Sequence, residues 1–258
     1  MNEVDRKLTV DCESLELTRG LKNVLREINC TFKPSELTAV IGPNGAGKSS
    51  LLQCIAGVLT PESGQITFDG EKAHKLPATQ RARLGAYLPQ SEMPAWSLSG
   101  ANLVALGLLP WGRPRDRETR VRRAMAMVDA QAFADRPVTE LSGGELRRVQ
   151  LARLLVGQAP LLIADEPTAA LDIRHQLQLM QNFRRLADMG KTVILALHDL
   201  NLAARFCDRV LLLQEGVLLA GGTPQAVFTP ALIGEAYGVS CKFHWRDGIA
   251  EFVPLEVL

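Results

Sequence analysis

Leu37-Thr-Ala-Val-Ile41 followed by Gly42-Pro-Asn-Gly-Ala-Gly-Lys48-Ser49 carries the strongest structural signal in this sequence. The first five residues form a short apolar run, which is typical of a strand buried in a parallel sheet. The next eight match the pattern G-x(4)-G-K-[ST] in full, and a helical pattern follows them. Glycines let backbone N–H groups converge on phosphate at a helix start, where the helix dipole favours an anion. The stretch therefore predicts a loop that binds a nucleoside triphosphate.

The segments around this loop alternate between strand and helix patterns. Strand-like patterns occur at 64–69, 85–88, 161–164, 193–197 and 210–213, and helical patterns at 175–189 and 200–207 lie between the later ones. Alternating strands and helices indicate a mostly parallel sheet with ligands at the carboxyl ends of its strands. Residues 8–33 alternate apolar and polar positions, which predicts an antiparallel hairpin turning near residues 19–23.

The domain organisation follows from these patterns and from the length. The 258 residues correspond to about 1.7 domains of roughly 150 residues, so one large domain with a smaller subdomain is expected. Residues from about 91 to 160 have a helical pattern. The predicted fold is α/β: a P-loop NTPase core with a mostly parallel sheet, an antiparallel β subdomain and an inserted α-helical subdomain. We expect one domain over 1–258, with 1–90 and 161–258 as the core and the last forty or so residues as a short appendage.

Composition and charge exclude several classes of protein. The chain is 47% hydrophobic and 22% charged, which fits a globular protein and not a disordered one. With 29 Lys plus Arg against 28 Asp plus Glu, the net charge of +1 creates no field toward nucleic acid, and no nucleic-acid partner is expected. No apolar run reaches the roughly 18 residues that span a bilayer. Five scattered cysteines without a CxxC pair indicate reduced thiols, so we expect a cytoplasmic protein.

A second chemical signal lies at the end of the strand predicted at 161–164. The apolar run Leu161-Leu-Ile-Ala ends in Asp165-Glu166. Asp165 is placed to hold Mg²⁺ directly or through water, and Glu166 could act as a general base on the attacking water. Together with the phosphate loop, this pair predicts a hydrolysis site.

A third signal is Leu141-Ser-Gly-Gly-Glu145, which precedes a helical pattern over 146–156. Ser142 can cap that helix, and its two glycines allow close backbone approach, so this is a second helix start suited to an anion. One nucleotide site does not obviously need two such helix starts.

Four motifs follow one another along the chain: GPNGAGKS, LSGGE, LLIADEP and a histidine after a strand (His198). In this order, they resemble the motifs of the ATP-binding subunit of ABC transporters. The resemblance covers nearly the whole chain. It implies that ATP and Mg²⁺ bind between two copies of the subunit packed head to tail. The signature LSGGE of one copy would then face the γ-phosphate held by the other, which accounts for the second anion site.

The resemblance also implies roles for individual residues. Gln90 would contact Mg²⁺ and water and sense the membrane partner, and His198 would contact the γ-phosphate, so Gln90, Glu166 and His198 are the expected catalytic residues. Ser49, Gln90 and Asp165 are expected around the metal ion. Leu171 and Asp172 match the loop that links the two sites of the dimer. The residues expected to bind nucleotide in the same subunit are Gly42, Pro43, Asn44, Gly45, Ala46, Gly47, Lys48, Ser49, Ser50 and Arg19, and those expected to bind it in the partner are Leu141, Ser142, Gly143, Gly144 and Glu145.

Of the positions that depart from the family pattern, two concern the adenine contact and the signature. Arg19 aligns with the aromatic residue that usually stacks on adenine, and a guanidinium can also stack on a base. Glu145 replaces the commoner glutamine of the signature, which some importer branches also do. Neither change touches Lys48, Asp165, Glu166 or His198.

Within the family, several segments are similar to ATPases of importers for iron-siderophores, haem and vitamin B12; examples are Leu171-Asp-Ile-Arg-His175-Gln and His198-Asp-Leu-Asn-Leu. Ferric-siderophore import is the first expectation, with haem or B12 as the alternative and molybdate or zinc behind them. The implied partners are a second copy, an integral membrane permease and, indirectly, a periplasmic or extracellular substrate-binding protein. We expect a peripheral protein at the cytoplasmic face of the bacterial inner membrane, with Trp96 and Trp111 as candidate docking residues for the permease.

Two other classes of protein also carry a phosphate loop. A soluble ABC ATPase of the iron–sulfur assembly type remains an alternative interpretation. Repair ATPases contain long coiled coils and translation factors contain two ATPase halves, and this sequence shows neither feature. A P-loop kinase or GTPase is disfavoured by LSGGE, by His198 and by the lack of an NKxD-like tetrapeptide.

Overall fold

A computed structural model describes residues 7–90, 97–112, 114–246 and 249–258. The strands, in chain order, are β1 (Val10–Arg19), β2 (Lys22–Phe32), β3 (Leu37–Ile41), β4 (Ser63–Phe68), β5 (Glu71–Lys72), β6 (Gly85–Leu88), β7 (Leu161–Asp165), β8 (Thr192–Ala196), β9 (Arg209–Gln214), β10 (Val217–Gly222), β11 (Val239–Arg246) and β12 (Ile249–Val257). The α-helices are α1 (Lys48–Ile55), α2 (Ala78–Leu84), α3 (Gly100–Ala105), α4 (Arg117–Ala126), α5 (Gly143–Val156), α6 (Ile173–Asp188), α7 (Leu200–Phe206), α8 (Pro224–Val227) and α9 (Pro230–Tyr237). Within these ranges, no helix is both long and apolar enough to cross a bilayer.

The central sheet has six strands in the order β10-β9-β3-β8-β7-β6. Its pairings from β9 through β6 are parallel, and β10 adds an antiparallel edge. Alternate residues of β3 enter two different hydrophobic clusters: Leu37, Ala39 and Ile41 pack on one face, and Val40 packs on the other. Both faces are therefore covered, which explains why the strands read as continuous apolar runs. The predicted α/β class with a mostly parallel sheet is confirmed.

The first strands form a separate antiparallel sheet in the order β2-β1-β4-β5. The β1–β2 turn closes with Arg19 opposite Lys22, so the hairpin predicted near residues 19–23 is confirmed. Phe32 and Phe68 of this sheet share a core cluster with Leu51 and Leu52 of α1. This packing holds the antiparallel sheet against the helix that follows the phosphate loop.

The segment predicted to be helical contains α3, α4 and α5, with short 3₁₀ turns between them. Val104 of α3, Met125 of α4 and Val149 of α5 are buried in one cluster, which continues into the central sheet through Leu162 and Ala164. Helix α5 begins at Gly143, three residues before the predicted start, because Ser142 caps it directly.

The C-terminal residues are more than the short appendage that the sequence suggested. β10 extends the central sheet, and the β11–β12 hairpin packs on α7. The backbone N–H of Phe252 donates to Asn201 Oδ1 at 2.8 Å, and the Phe243 ring lies 5.6 Å from Phe228 and 5.2 Å from Phe252 between ring centroids. These strands were missed because their apolar residues are spaced among exposed polar ones and do not form a run.

Candidate nucleotide site

Four neighbouring strands of the central sheet, β3, β8, β7 and β6, end at the same edge because they are parallel. The loop 42–49 follows β3, and His198 follows β8. Asp165 ends β7 and is followed by Glu166, and Gln90 comes two residues after β6. The topology thus brings together residues that lie far apart in the sequence, at the edge where α/β proteins bind ligands.

The phosphate loop depends on glycine at two close approaches. Gly47 has φ 104°, and a Cβ atom there would lie 2.6 Å from the carbonyl oxygen of Val24. A Cβ atom on Gly42 would lie 2.1 Å from the carbonyl oxygen of Leu213. No larger residue fits either position, since real Cβ atoms do not approach so closely. The loop is therefore held between β2 and β9 and leads directly into α1.

Lys48, the first residue of α1, folds back over the loop. Its Nζ donates to the carbonyl oxygens of Gly42 at 2.6 Å and Pro43 at 3.0 Å, and the residue is only 6% exposed. Burial lowers the pKa of Lys48, and the nearby carboxylates of Glu166 and Asp165 oppose that shift. The ammonium group is thus a preoriented cation at the start of a helix, where a phosphate would be stabilised.

Asp165 is 1% exposed, and its Oδ1 is buried without a hydrogen-bond partner. A hydrogen bond from the Ser49 side chain lowers the pKa of Asp165, but burial outweighs it and raises the pKa overall. A buried carboxylate oxygen with a free lone pair beside a hydroxyl group fits the oxygen ligands that Mg²⁺ prefers. Over the described residues, no group of three or more His, Cys, Asp or Glu side chains could hold a metal. A metal ion here would need further oxygen ligands from a bound phosphate or water.

Glu166 has an unusual backbone conformation, with φ 47°, in the left-handed region. Its two carboxylate oxygens have different partners. Gln90 Nε2 donates to Oε2 at 2.8 Å, and His198 Nε2 is in hydrogen-bond contact with Oε1. The three residues expected to be catalytic therefore form one hydrogen-bonded group.

A cavity of about 360 Å³ opens above the loop and in front of Glu166. It is lined by Val24, Asn44, Gly45, Ala46, Gly47, Lys48, Ser49, Ser50, Gln90 and Glu166. Arg19, expected beside adenine, does not line it; the residue is exposed at the end of β1. Val24 was not anticipated from the sequence, because an isolated valine in a strand carries no signal for a ligand.

The signature residues lie outside this cavity. Ser142 caps α5 by accepting a hydrogen bond from the Glu145 N–H, and Glu145 Oε2 accepts one from the Ser142 N–H at 2.8 Å, which completes a capping box. Arg136 Nη1 also donates to Glu145 at 3.1 Å. These hydrogen bonds lower the pKa of Glu145 and fix the first turn of α5. The two carboxylate oxygens of Glu145 thus accept hydrogen bonds from Ser142 and from Arg136. Glutamine, the commoner residue at this position of the signature, has only one acceptor oxygen and could replace only part of this arrangement.

The loop expected to link the two sites lies against the signature. A Cβ atom on Gly144 would lie 3.1 Å from the carbonyl oxygen of Ala170. Asp172 caps α6, accepting from the backbone N–H of His175 at 2.9 Å, with His175 Nδ1 2.8 Å from the same oxygen. Leu171 packs, partly buried, against the core. The two elements expected to face a partner subunit are thus neighbours within one chain.

The structure describes one of the two candidate docking residues and shows exposed leucines beside it. Trp96 lies outside the described residues. Trp111 is partly buried, and its ring packs on Gly157, where a Cβ atom would lie 2.7 Å from the indole. Leu109 is 69% exposed and Leu106 is also exposed, so among the described residues 97–112 the exposed large apolar side chains are these leucines and not Trp111.

Arg147 is a buried residue of the site that no sequence pattern indicated. Its guanidinium donates to the carbonyl oxygens of Pro89, Asp165 and Glu166. An arginine within a helix of mixed composition resembles a solvated surface residue, so its sequence context gave no sign of this position.

Comparison with known proteins adds three findings. The sequence profile of the ABC transporter family matches residues 25–169. The hemin import ATP-binding protein HmuV of Pseudomonas entomophila is 46% identical over 237 residues, covering 89% of this chain and 92% of that protein. The cobalamin import ATP-binding protein BtuD of Halobacterium salinarum is 37% identical over 235 residues, covering 89% of this chain and 59% of that protein. The solved dimeric structure of the ATP-binding cassette MJ0796, in a post-hydrolysis state with ADP and Pi, has a TM-score of 0.76 at 27% identity and covers 83% of this chain and 98% of that one.

Proposed function

This chain belongs to the ABC transporter family, and we propose that it energises haem import through a separate membrane permease. At the coarser level, it is an import ATPase of the haem and metal-chelate type, in which ATP hydrolysis is coupled to transport. The observation that best supports the chemistry is that Gln90, Glu166 and His198 meet beside the phosphate loop and the buried carboxylate of Asp165.

In this proposal, ATP phosphates bind at the start of α1, where loop N–H groups and Lys48 face the cavity. Glu166 accepts the proton of the attacking water, since it lies at the cavity edge with its carboxylate held from both sides. Gln90 and His198 orient that carboxylate and the water. Asp165 and Ser49 would hold Mg²⁺, with Gln90 nearby; when bound, the ion supplies charge that stabilises the phosphates during transfer.

The active form in this proposal is a dimer of two copies. The signature residues Ser142, Gly143 and Gly144 lie outside the cavity of their own subunit, so they are available to a nucleotide held by another copy. Leu171 and Asp172 lie next to the signature and would link the two sites. Support comes from the dimeric state of the similar cassette MJ0796.

Haem is the favoured cargo because of the relatives' names. The sequence motifs ranked ferric-siderophores first, but the similar protein from Pseudomonas entomophila is a hemin import protein at 46% identity. The cobalamin-import relative is less similar, at 37%. Ferric-siderophore and B12 import remain outcomes that the experiment must separate.

The permease partner would be met near the exposed leucines Leu106 and Leu109, which follow the segment containing Gln90 in the chain. A subunit bound there would lie peripherally on the cytoplasmic face of the bacterial inner membrane. A substrate-binding protein would act on the opposite side of the permease and would not touch this chain.

The test begins with the tagged chain, purified from detergent-solubilised membranes of its native host together with any bound permease. The complex is reconstituted in proteoliposomes with ATP inside, and uptake of haem, a ferric-siderophore and B12 is measured in parallel. Proteoliposomes containing the Glu166→Gln variant provide the matched control for ATP-driven uptake.

ATP-dependent haem uptake that is lost in Glu166→Gln proteoliposomes would support the proposal. Uptake of the siderophore or of B12 without haem would overturn the haem assignment and leave the import ATPase in place. A chain that purifies without any membrane protein would overturn the transport role and favour a soluble ABC ATPase of the iron–sulfur assembly type.

A further inference from the structure

Arg147 is a buried cation that the proposed roles leave unexplained. It lies in α5, five residues after the capping residue Ser142, and is 5% exposed. Arginine is rarely buried to this extent unless its charge is compensated. The groups that contact its guanidinium therefore indicate the role of Arg147.

The guanidinium of Arg147 is held by backbone carbonyl oxygens. Arg147 Nη2 donates to the carbonyl oxygen of Asp165 at 2.8 Å and to that of Glu166 at 2.7 Å. Arg147 Nη1 donates to the carbonyl oxygen of Pro89 at 2.9 Å. The planar guanidinium suits this arrangement, because its N–H groups point in fixed directions toward several acceptors at once.

These carbonyl groups flank the residues that we expect to carry out hydrolysis. The carbonyl groups of Asp165 and Glu166 lie on either side of the Glu166 backbone, whose φ of 47° is unfavourable for a residue with a Cβ atom. Pro89 immediately precedes Gln90, which donates to the Glu166 carboxylate. One side chain therefore holds the backbone of both members of this hydrogen-bonded pair.

The charge of Arg147 matches its neighbours. Burial lowers the pKa of the guanidinium, while the carboxylates of Asp165 and Glu166 oppose that shift. The cation thus lies close to both acidic residues and to their backbone carbonyl groups.

We propose that Arg147 is a positioning residue for ATP hydrolysis, which fixes the backbone of Glu166 and Gln90 from the signature helix. This inference rests on the proposed function, since it assumes that Glu166 is the general base. Helix α5 begins with the signature and carries Arg147 in its second turn. A displacement of this helix would therefore move the guanidinium that holds the backbone of Glu166. The helix that faces the partner's nucleotide is then linked mechanically to hydrolysis in its own subunit.

The test compares Arg147→Met and Arg147→Lys with the wild-type chain. Methionine keeps most of the side-chain length but offers no N–H donor, whereas lysine keeps the charge and can donate to part of the set. The matched control is Lys191→Met, which removes another buried cation that donates to a backbone carbonyl oxygen, that of Gln158 at 2.6 Å, far from the site in the fold. Glu166→Gln is assayed alongside them.

Four quantities are measured on the full chain: kcat and KM for MgATP, the affinity for a fluorescent ATP analogue, and Tm. Arg147→Met should lower kcat about 10- to 100-fold, as expected for a misplaced catalytic group, with KM and analogue affinity within about threefold of wild type. Arg147→Lys should recover part of kcat. Lys191→Met should lower Tm without changing kcat.

Separate outcomes distinguish the inference from the function on which it rests. If Arg147→Met lowers Tm but keeps wild-type kcat while Glu166→Gln loses activity, Arg147 is only structural and the inference is wrong. The inference is also wrong if analogue affinity collapses together with kcat. If Glu166→Gln itself turns over normally, the assignment of the base fails. Should Arg147→Met not fold, the kcat of Arg147→Lys decides: wild-type kcat would overturn the inference, and a reduced kcat at unchanged KM would support it.

Discussion

Gln90 Nε2 donates to Glu166 Oε2 at 2.8 Å, across 76 positions of sequence, while the other carboxylate oxygen of Glu166 contacts His198. Three loops that follow three neighbouring parallel strands thus converge on one carboxylate. A glutamate held in this way has its orientation fixed before any ligand arrives, which is the condition for efficient proton transfer.

Replacing Glu166 with Gln should preserve this geometry and remove the base. Hydrolysis should fall by about 10² to 10⁴, the usual contribution of a general base, while ATP binding persists. Because ATP would then hold two subunits together without being consumed, gel filtration with ATP should show a stable dimer. The exposed Glu235→Gln in α9 is the control and should remain active. A Glu166→Gln chain that is monomeric with normal turnover would refute the assigned role.

Lys48→Ala should weaken nucleotide binding. The lysine is directed over the loop by its bonds to Gly42 and Pro43, so its charge is available to phosphate at little conformational cost. Hydrogen bonds to charged groups contribute about 1.5–3 kcal/mol, which corresponds to a loss of roughly 10- to 100-fold in affinity. Titration with a fluorescent ATP analogue measures this loss. Lys72→Ala, at an exposed position of β5, should bind as wild type; equal affinities for all three chains would contradict the assignment.

The sequence predicted those parts of the site that depend on local pattern. The loop 42–49 matches an eight-residue pattern with four specified positions after an apolar strand, and Asp165 and Glu166 end another such strand, so both could be located without a structure. Their meeting at one edge followed from the rule for parallel strands. The capping role of Ser142 was likewise visible, because capping involves residues only three positions apart.

Contacts between distant segments could not be predicted in this way. Arg147 lies 58 positions from Pro89, and nothing in its helix distinguishes it from a solvated arginine. Val24 lines the cavity only because β2 packs against the phosphate loop, and Arg19 fails to line it although it lies in the paired strand. Helix α2, of which only Leu84 is buried, and the β11–β12 hairpin were missed because neither contains an apolar run.

Asp165→Asn should stabilise the chain in the absence of nucleotide and divalent ions. Burial raises the pKa of Asp165, so its contribution to stability is complete below the pKa of the unfolded chain and is lost as pH rises through the folded pKa. At pH 8 the ionised, partly unpaired carboxylate is therefore unfavourable, and the amide removes that cost. A gain of about 1 kcal/mol would raise Tm by roughly 2–4 °C.

Thermal unfolding with EDTA from pH 4 to pH 8 checks this expectation. The difference in Tm between Asp165→Asn and wild type should shrink toward the acid end, where the wild-type carboxyl is protonated. Adding Mg²⁺ and ATP should reverse the order, since only the wild-type chain keeps the carboxylate that would hold the ion. A variant that is less stable than wild type at pH 8 would show that the carboxylate is stabilised in the folded chain.

Gly143→Ala separates the role of the signature in its own subunit from its role toward a partner. Gly143 is exposed in the first turn of α5, and an added Cβ atom would meet no other atom within 4 Å. Replacing a helical glycine with alanine at a compatible position stabilises a protein by about 0.4–1 kcal/mol, so Tm should rise slightly. If the signature closes on a nucleotide held by another copy, the added methyl group obstructs that approach.

The ATP-dependent dimer should therefore weaken by at least about tenfold when Gly143→Ala is combined with Glu166→Gln, a loss of roughly 1.4 kcal/mol in association free energy. Analytical ultracentrifugation with ATP measures the association, and binding of a fluorescent analogue to the monomer should stay unchanged. Arg122→Ala, at an exposed position of α4, combined with the same Glu166→Gln background, is the control and should dimerise normally. If Gly143→Ala dimerises as tightly as the control, the open space above Gly143 is not filled by the partner's nucleotide, and the signature does not act across the dimer.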